Sequence, residues 1–224
     1  VLQNGWRPLA VYHAFLAISL AQCLGRSDVV ISAAFSQREH GGFNNCVGYF
    51  LNVLPFHYTV SDTSSISSVV KHVSDVLADG MHHGMYPTSR IIQATGFGMS
   101  AVAGEITFLF DIPPLMPESV ETGMQLDYKL VPLSQLPRNS VQFVYAGFAN
   151  WVGAQFPRQD VSRAFVMRLL RTWQVIAEQV ASGNAHLMSS NIQAKSVDMA
   201  QAHEWAFQPQ PKETATMSSF LRQR

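Results

Sequence analysis

An α/β layered domain built on a mixed sheet is the fold class this sequence predicts, and three observations predict it. The stretch 160–180 repeats apolar residues at helical spacing, VVISAAF at 29–35 is too short for a helix and apolar on both faces, and helix-like and strand-like segments alternate along the chain. Of the 224 residues 47% are apolar, ample for a packed core in one large domain or one and a half at ~150 residues each.

The elements follow in order. From Pro8 to Leu24 the apolar positions Leu9, Tyr12, Phe15, Leu16, Leu20 and Cys23 recur at helical spacing, with Pro8 suited to a first turn and Gly25 to a C-terminal stop, so an amphipathic helix is expected. Asp28–Phe35 reads as a central strand and Leu51–Tyr58 as a second one. Between them Ser36–Cys46 (SQREHGGFNNC) is polar and glycine-bearing, the kind of loop that carries function. Ser61, Asp62, Thr63 and Ser64 offer N-caps for a helix to about His83, whose Ile66, Val69, Val70, Val73, Val76 and Leu77 form the face that packs on the sheet. A short helix over Ser89–Ala94 gives way to GFGMSAVAG, which has no period, and then to a strand, ITFLFDI, stopped by Pro113 and Pro114.

Gln125–Val131 alternates like a half-buried strand and Ser140–Phe148 like another, which predicts a hairpin of the two. Asp160–Val180 predicts a long helix with Phe165, Leu169, Trp173, Ile176 and Val180 inside and Arg163, Arg168 and Arg171 on the wet side. From about Ala194 the composition turns to Gln, Pro, Lys, Thr and Ser, so residues 1–192 are expected to form the folded unit and 193–224 a linker or tail, with Trp205 and Phe207 available to dock.

Charge and composition exclude several function classes. Fifteen basic residues balance fifteen acidic ones, so there is no net field to draw in nucleic acid or an anionic membrane. Only 13% of residues are charged, against a usual ~25%, a shortfall that goes with much buried surface or a face turned to another protein. Cys23 and Cys46 make neither a disulfide framework nor a zinc spacing, which fits a reducing, cytoplasmic setting. No apolar run reaches the ~18 residues of a membrane span, and Val1 is not an initiator, so the expectation is a piece of a longer protein.

The short catalytic motifs are missing: no GxSxG elbow, no glycine-rich phosphate loop, no HExxH. His82-His83 would open an HHxxxDG general-base signature, but Pro87 and Thr88 stand where Asp and Gly belong, so the pair reads as a helix end where imidazolium suits the dipole. His72 lies eleven residues before His83 with no carboxylate cluster around it, and no metal site is expected.

The informative segment is Arg38–Phe56, REHGGFNNCVGYFLNVLPF, where a glycine, aromatic residues, Asn52 and Leu54-Pro55 occur in a pattern that packing alone does not ask for, since a buried Asn must find partners. The chain resembles the C-terminal half of the condensation domain of non-ribosomal peptide synthetases, whose stretch reads roughly GRxxxExxxxIGxFVNTLPLR. Arg38 matches the arginine, Val47-Gly48-Tyr49-Phe50-Leu51-Asn52 matches IGxFVN, and Val53-Leu54-Pro55-Phe56 matches TLPL; Leu24, Gly25 and DVVI at 28–31 match the strand before it. The family's helix ending in HQxxPFExL is matched downstream by His83, Tyr86, Pro87 and Ile91. Departures are His57 in place of arginine, Thr88-Ser89 in place of Phe-Glu, and GFGMSAVAG in place of RDxSRNPL. The resemblance covers about residues 8 to 190, densest from Leu24 to Ile92.

The resemblance implies a two-layer sandwich of the chloramphenicol acetyltransferase type, a mixed sheet with helices on one face, serving as one of two lobes around a tunnel. It implies amide bond formation between acyl or aminoacyl thioesters on donor and acceptor carrier proteins, whose 4′-phosphopantetheine arms enter from opposite faces, with no cofactor bound by this lobe itself. The family's catalytic HHxxxDG belongs to the N-terminal lobe, so no catalytic residue is expected here; that lobe and possibly a following adenylation domain are the remaining partners. Asn52, Gly48, Tyr49 and Leu54 are expected along the tunnel, Asn52 either hydrogen-bonding substrate or satisfying buried backbone, Gly48 allowing a close approach or a positive φ. Arg38 is expected to anchor its loop rather than reach a phosphate, and His83, Tyr86 and Pro87 to shape the lobe. Two other classes stay open on the sequence: a non-catalytic interface domain that recruits a partner enzyme, and an ester-forming acyltransferase of the same superfamily.

Overall fold

Helix α1 spans Pro8–Leu24, the bounds predicted from its proline and glycine. Gly25 sits in the left-handed region (φ 67°) and the amide of Arg26 returns to Ala21 O at 3.1 Å, a closure that a residue with a Cβ adopts only under strain. The computed structural model to which α1 belongs describes residues 5–38, 42–43, 45–95, 106–110, 141–146, 151–156, 161–187 and 215–216. The expected amphipathic character is not observed: from Ala10 to Ala21 every residue but Tyr12 is buried. The helix is covered by neighbours on both flanks as well as by the sheet. Its two buried polar side chains have partners, Ser19 donating to Phe15 O at 2.7 Å within the helix and His13 meeting the hydroxyl of Tyr58 at 3.0 Å.

Strands β1 (Asp28–Ser36) and β2 (Leu51–Thr59) form an antiparallel pair in which Val29, Ile31 and Ala33 stand opposite Tyr58, Phe56 and Leu54. All six are buried on the face turned to the helices, each large one contributing on the order of 1.5–3 kcal/mol. Helix α2 (Ile66–His82) lays Ile66, Val69, Val70, Val73 and Leu77 on that layer. Its N-cap is Ser65, which accepts from the Ser68 amide at 3.2 Å, and not one of the four residues before it. Those close a turn of their own, Ser64 N–H to Ser61 O at 2.9 Å, and so delay the helix.

After the short helix α3 (Thr88–Thr95) come β3 (Ile106–Phe110), β4 (Val141–Ala146), β5 (Trp151–Gln155), helix α4 (Arg163–Ala181) and the two-residue β6 (Ala215–Thr216). Among the described residues the sheet has six strands in the order β2-β1-β3-β4-β5-β6, parallel at β1–β3 and β3–β4 and antiparallel elsewhere, the mixed sheet expected. The expected hairpin is corrected. β4 pairs on one side with β3 and on the other with β5, a strand the sequence reading did not register, so β4 has no side free for Gln125–Val131, which lies outside the described residues. GFGMSAVAG, Pro113, Pro114, Trp205 and Phe207 lie outside them too.

Helix α4 is capped by Ser162, whose hydroxyl accepts from Phe165 N–H at 3.2 Å, and buries Val166, Leu169, Leu170, Trp173 and Ile176. Arg168 and Arg171 are exposed as expected and Arg163 is half-buried. Trp173 meets Tyr12 and Phe15 of α1 and Phe143 of β4 with ring centroids 5.7–5.8 Å apart, so one indole joins both helices to the sheet. The loop after α4 returns to the start of α2, where Leu187 O and Ala185 O accept the amides of Ile66 and Ser67, both at 3.0 Å.

Among the described residues β2 stands at the edge of the sheet, and the middle of its outer side is occupied. Val60 N–H donates to Ser27 O and Phe50 O accepts from Gln37 N–H, so the even-numbered backbone groups of this strand point at β1 and the odd-numbered ones away. On the outer side Pro55 has no N–H, and Val53 O accepts the Thr88 hydroxyl.

Candidate functional site

The β1–β2 loop and the α2–α3 turn are the two segments that the motif residues occupy, and the structure brings them together. Arg38 follows β1 and folds back over its own loop. Its Nη1 donates to Phe43 O (3.2 Å) and Cys46 O (2.5 Å), its Nη2 to Gly48 O (2.9 Å), and its Cζ lies 4.5 Å from the centroid of the Phe50 ring. Phe43 stacks on Phe50 at 5.1 Å between centroids. A flat fork with several donors is what such a set of carbonyls requires. Gly48 is not in the left-handed region; a Cβ there would lie 3.0 Å from the edge of the Phe50 ring, so its lack of a side chain serves the close approach of the loop to that ring.

Asn52, near the start of β2, has both amide hydrogens engaged: Nδ2 donates to Gly84 O at 2.8 Å and to Tyr86 O at 2.9 Å, while Oδ1 accepts the hydroxyl of Thr88 at 2.7 Å. With two donors and an acceptor committed to the chain, the side chain is saturated as a hydrogen-bonding group on its donor side. The turn it holds is built by local bonds, Gly84 N–H to Met81 O (3.0 Å) and Tyr86 N–H to His83 O (2.9 Å), after which Pro87 O receives the amides of Arg90 and Ile91 to open α3. His83 is the exposed C-cap of α2 and packs edge-on against His82, Tyr86 presents an exposed ring, and Pro87 supplies the first carbonyl of α3.

Tyr49 is 81% exposed and Val47 fully so, whereas Leu54 is 5% exposed and belongs to the core. Leu54, expected on a tunnel wall, is therefore corrected: alternation from Phe56 and Tyr58 turns it to the helix layer. The sequence reading missed Thr88 and Gln37. The hydroxyl of Thr88 bridges Asn52 Oδ1 and Val53 O, and a threonine just after a proline at a helix start was the available signal. Gln37 is 9% exposed, its side-chain oxygen has no hydrogen-bond partner among the described residues, and its amide lies against Gly84.

Displaced protonation is found elsewhere. Burial pushes His13 down to about 3 and the hydroxyls of Tyr12 and Tyr58 up, and raises Cys23. Asp28 is held below the usual carboxylate range by the Ser27 and Thr59 hydroxyls, with exposed His57 3.2 Å away adding to the effect. None of these groups is on the 38–52 loop or the 83–88 turn. No cluster of three or more His, Cys, Asp or Glu suited to a metal occurs among the described residues, and no described helix is long and apolar enough to cross a membrane. The site is thus a surface held in shape by hydrogen bonds of Arg38, Asn52 and Thr88, with apolar Val47 and Tyr49 exposed beside them.

Residues 3–140 match the family described as Condensation domain. Cyclo-acetoacetyl-L-tryptophan synthase of Aspergillus oryzae is 30% identical over 87 residues, 39% of this chain and 2% of that protein. The hybrid PKS-NRPS synthetase ucsA of Acremonium sp is 32% identical over 89 residues, 40% and 2% respectively. Among solved structures, the first condensation domain of the CDA synthetase superposes with a TM-score of 0.68 at 18% identity, covering 87% of this chain and 43% of that one. The X-domain in its complex with OxyB from teicoplanin biosynthesis gives 0.62 at 15% identity over 88% and 45%, and the four-domain non-ribosomal peptide synthetase AB3403 gives 0.66 at 14% identity over 88% and 16%. The chain thus spans less than half of these structures and a small fraction of the curated relatives.

Proposed function

Because the chain belongs to the condensation-domain family, we propose that residues 1–192 are the C-terminal lobe of a domain that forms amide bonds in non-ribosomal or hybrid polyketide–peptide synthesis. The observation that carries this reading is that 87% of the chain superposes on only 43% of a condensation domain, as one lobe of two would. In the proposed reaction an acceptor amine on one carrier protein attacks the thioester carbon of the donor on another. The carbon–nitrogen bond forms, the carbon–sulfur bond breaks, and the proton lost by nitrogen ends on the departing thiol of the donor's phosphopantetheine arm. General-base chemistry falls to an HHxxxDG motif in the other lobe. This lobe supplies a chloramphenicol acetyltransferase-type sandwich as one wall of the tunnel, and its share of the rate is positioning, which can supply several kcal/mol of a barrier. Residues 193–224, expected as a linker or tail but returning at Ala215–Thr216 to pair with β5, are proposed as the segment that leads toward a following adenylation domain.

The test is amide formation by the intact two-lobed domain with carrier-bound donor and acceptor, followed by mass spectrometry of the acceptor carrier. Product that disappears on replacing the second histidine of HHxxxDG supports the reading; no product with any carrier-bound pair overturns it. A second reading, a non-catalytic platform for a partner enzyme, is favoured by the likeness to the X-domain seen in complex with OxyB. A degenerate HHxxxDG in the other lobe would select it.

A further inference from the structure

Residues 45–56 and residues 80–89 carry no Asp, Glu, Lys or Arg. Each presents exposed apolar side chains, Val47 (105%), Tyr49 (81%) and Leu51 (48%) on the first and Met85 (58%) and Tyr86 (52%) on the second. A monomer surface seldom gathers exposed apolar residues of this size into one patch unless something covers them. The two stretches are some thirty positions apart in sequence, and the contacts that hold them together include three bonds of one side chain, Asn52 to Gly84 O, Tyr86 O and the Thr88 hydroxyl.

We infer that Asn52 is a positioning residue: its amide braces the 84–88 turn against β2, so that Val47 and Tyr49 with Met85 and Tyr86 make one docking face for the part of the condensation domain that lies outside this chain. The occupant follows from two facts. The solved condensation domain has more than half of its length beyond the part that this chain matches. The face also carries no Asp, Glu or Lys, and its one cation, Arg38, is spent on three carbonyls of its own loop, which suits a permanent apolar contact within a domain better than pairing with an acidic carrier protein. The inference rests on the two-lobed reading above for its occupant, and it goes beyond it in assigning the face and the residue that assembles it. Asn52 acts here through other groups and not through a bond to substrate, since its donors are already taken.

The experiment uses the intact domain and two readouts, hydroxyl-radical footprinting of Tyr49 and Tyr86 and the turnover of amide formation. In the wild type both tyrosines are expected to label at least ~5-fold more slowly than a fully exposed tyrosine. Asn52→Ala and Thr88→Val should each raise that labelling and lower kcat about tenfold with KM changed less than twofold. Their double variant should be no worse than the worse single one, because both remove the same brace. Asn52→Asp keeps the acceptor for Thr88 and loses both donors, so it should behave like Asn52→Ala. Wild-type tyrosines labelled at the fully exposed rate would overturn the docking face. Unchanged labelling in Asn52→Ala, or effects of Asn52→Ala and Thr88→Val on kcat that multiply, would overturn the role of Asn52. Protected tyrosines in a domain that makes no amide would uphold the face and sink the catalytic reading alone. If Asn52→Ala does not fold, Thr88→Val carries the same comparison.

Discussion

His13 of α1 and Tyr58 of β2 meet at 3.0 Å between Nδ1 and the phenolic oxygen, both fully buried in a core made mostly of aliphatic and aromatic side chains. A polar pair of this kind is costly to break from one side and cheap to remove from both. His13→Leu should therefore destabilise by about 2–3 kcal/mol, and His13→Leu with Tyr58→Phe by clearly less, read by equilibrium denaturation. A double variant as unstable as the sum of the two singles would contradict a coupled pair.

The same histidine sets a pH dependence. Its folded pKa is pushed down from 6.5 to about 3 by burial, so between those values the unfolded chain takes a proton that the folded chain refuses. Stability should fall as pH drops below about 6.5, by up to ~1.4 kcal/mol per pH unit, and be independent of this group above it. Asp28, whose pKa is lowered, loses its stabilising contacts only at pH values below about 4, so it does not mask the effect. Thermal unfolding at pH 5 and pH 7 should show the drop, and the His13→Leu/Tyr58→Phe protein should lack most of it.

Gly80 faces the ring of Phe56 so closely that an added Cβ would overlap Cε1. Phe56 cannot swing away, since it is buried and ringed by Phe35, His13 and Tyr58. Gly80→Ala should thus cost about 1–3 kcal/mol through overpacking, although alanine is worth up to ~1 kcal/mol more than glycine in a helix. Phe56→Leu in the Gly80→Ala background should recover part of the loss, and urea midpoints of the three proteins decide it.

Arg38→Lys keeps the charge and loses the fork. Amides of residues 43–50 should exchange about tenfold faster while the global unfolding midpoint moves by under ~1 kcal/mol, because the bonds lost are confined to one loop. Equal protection in the two proteins would mean that the loop stands without the arginine.

How far the sequence reaches can be seen at particular residues. The bounds of α1 are written in Pro8 and Gly25, and the sheet-facing stripe of α2 in its own spacing, because caps and periodicity are local. That α1 is buried on nearly every side is not written in it, since this depends on α2 and α4 standing on its flanks. β5 escaped notice because Trp-Val-Gly-Ala-Gln has neither clear alternation nor a run of branched residues, and only pairing with β4 makes it a strand. At the site, the fork of Arg38 suits a loop anchor and a phosphate alike on the sequence, and the structure has it on three carbonyls of its own loop. The partners of Asn52 lie 32 to 36 positions away, a distance over which the sequence does not choose between a bond to substrate and a bond to backbone. Leu54 was misassigned because a motif match says which residue is present and not which face of the pleat it occupies.

The occupied middle of the outer side of β2 reaches past this one chain. With Pro55 withholding a donor and Thr88 occupying Val53 O, this stretch of the edge is a poor template for an incoming strand, so backbone pairing of another chain along the middle of β2 is disfavoured.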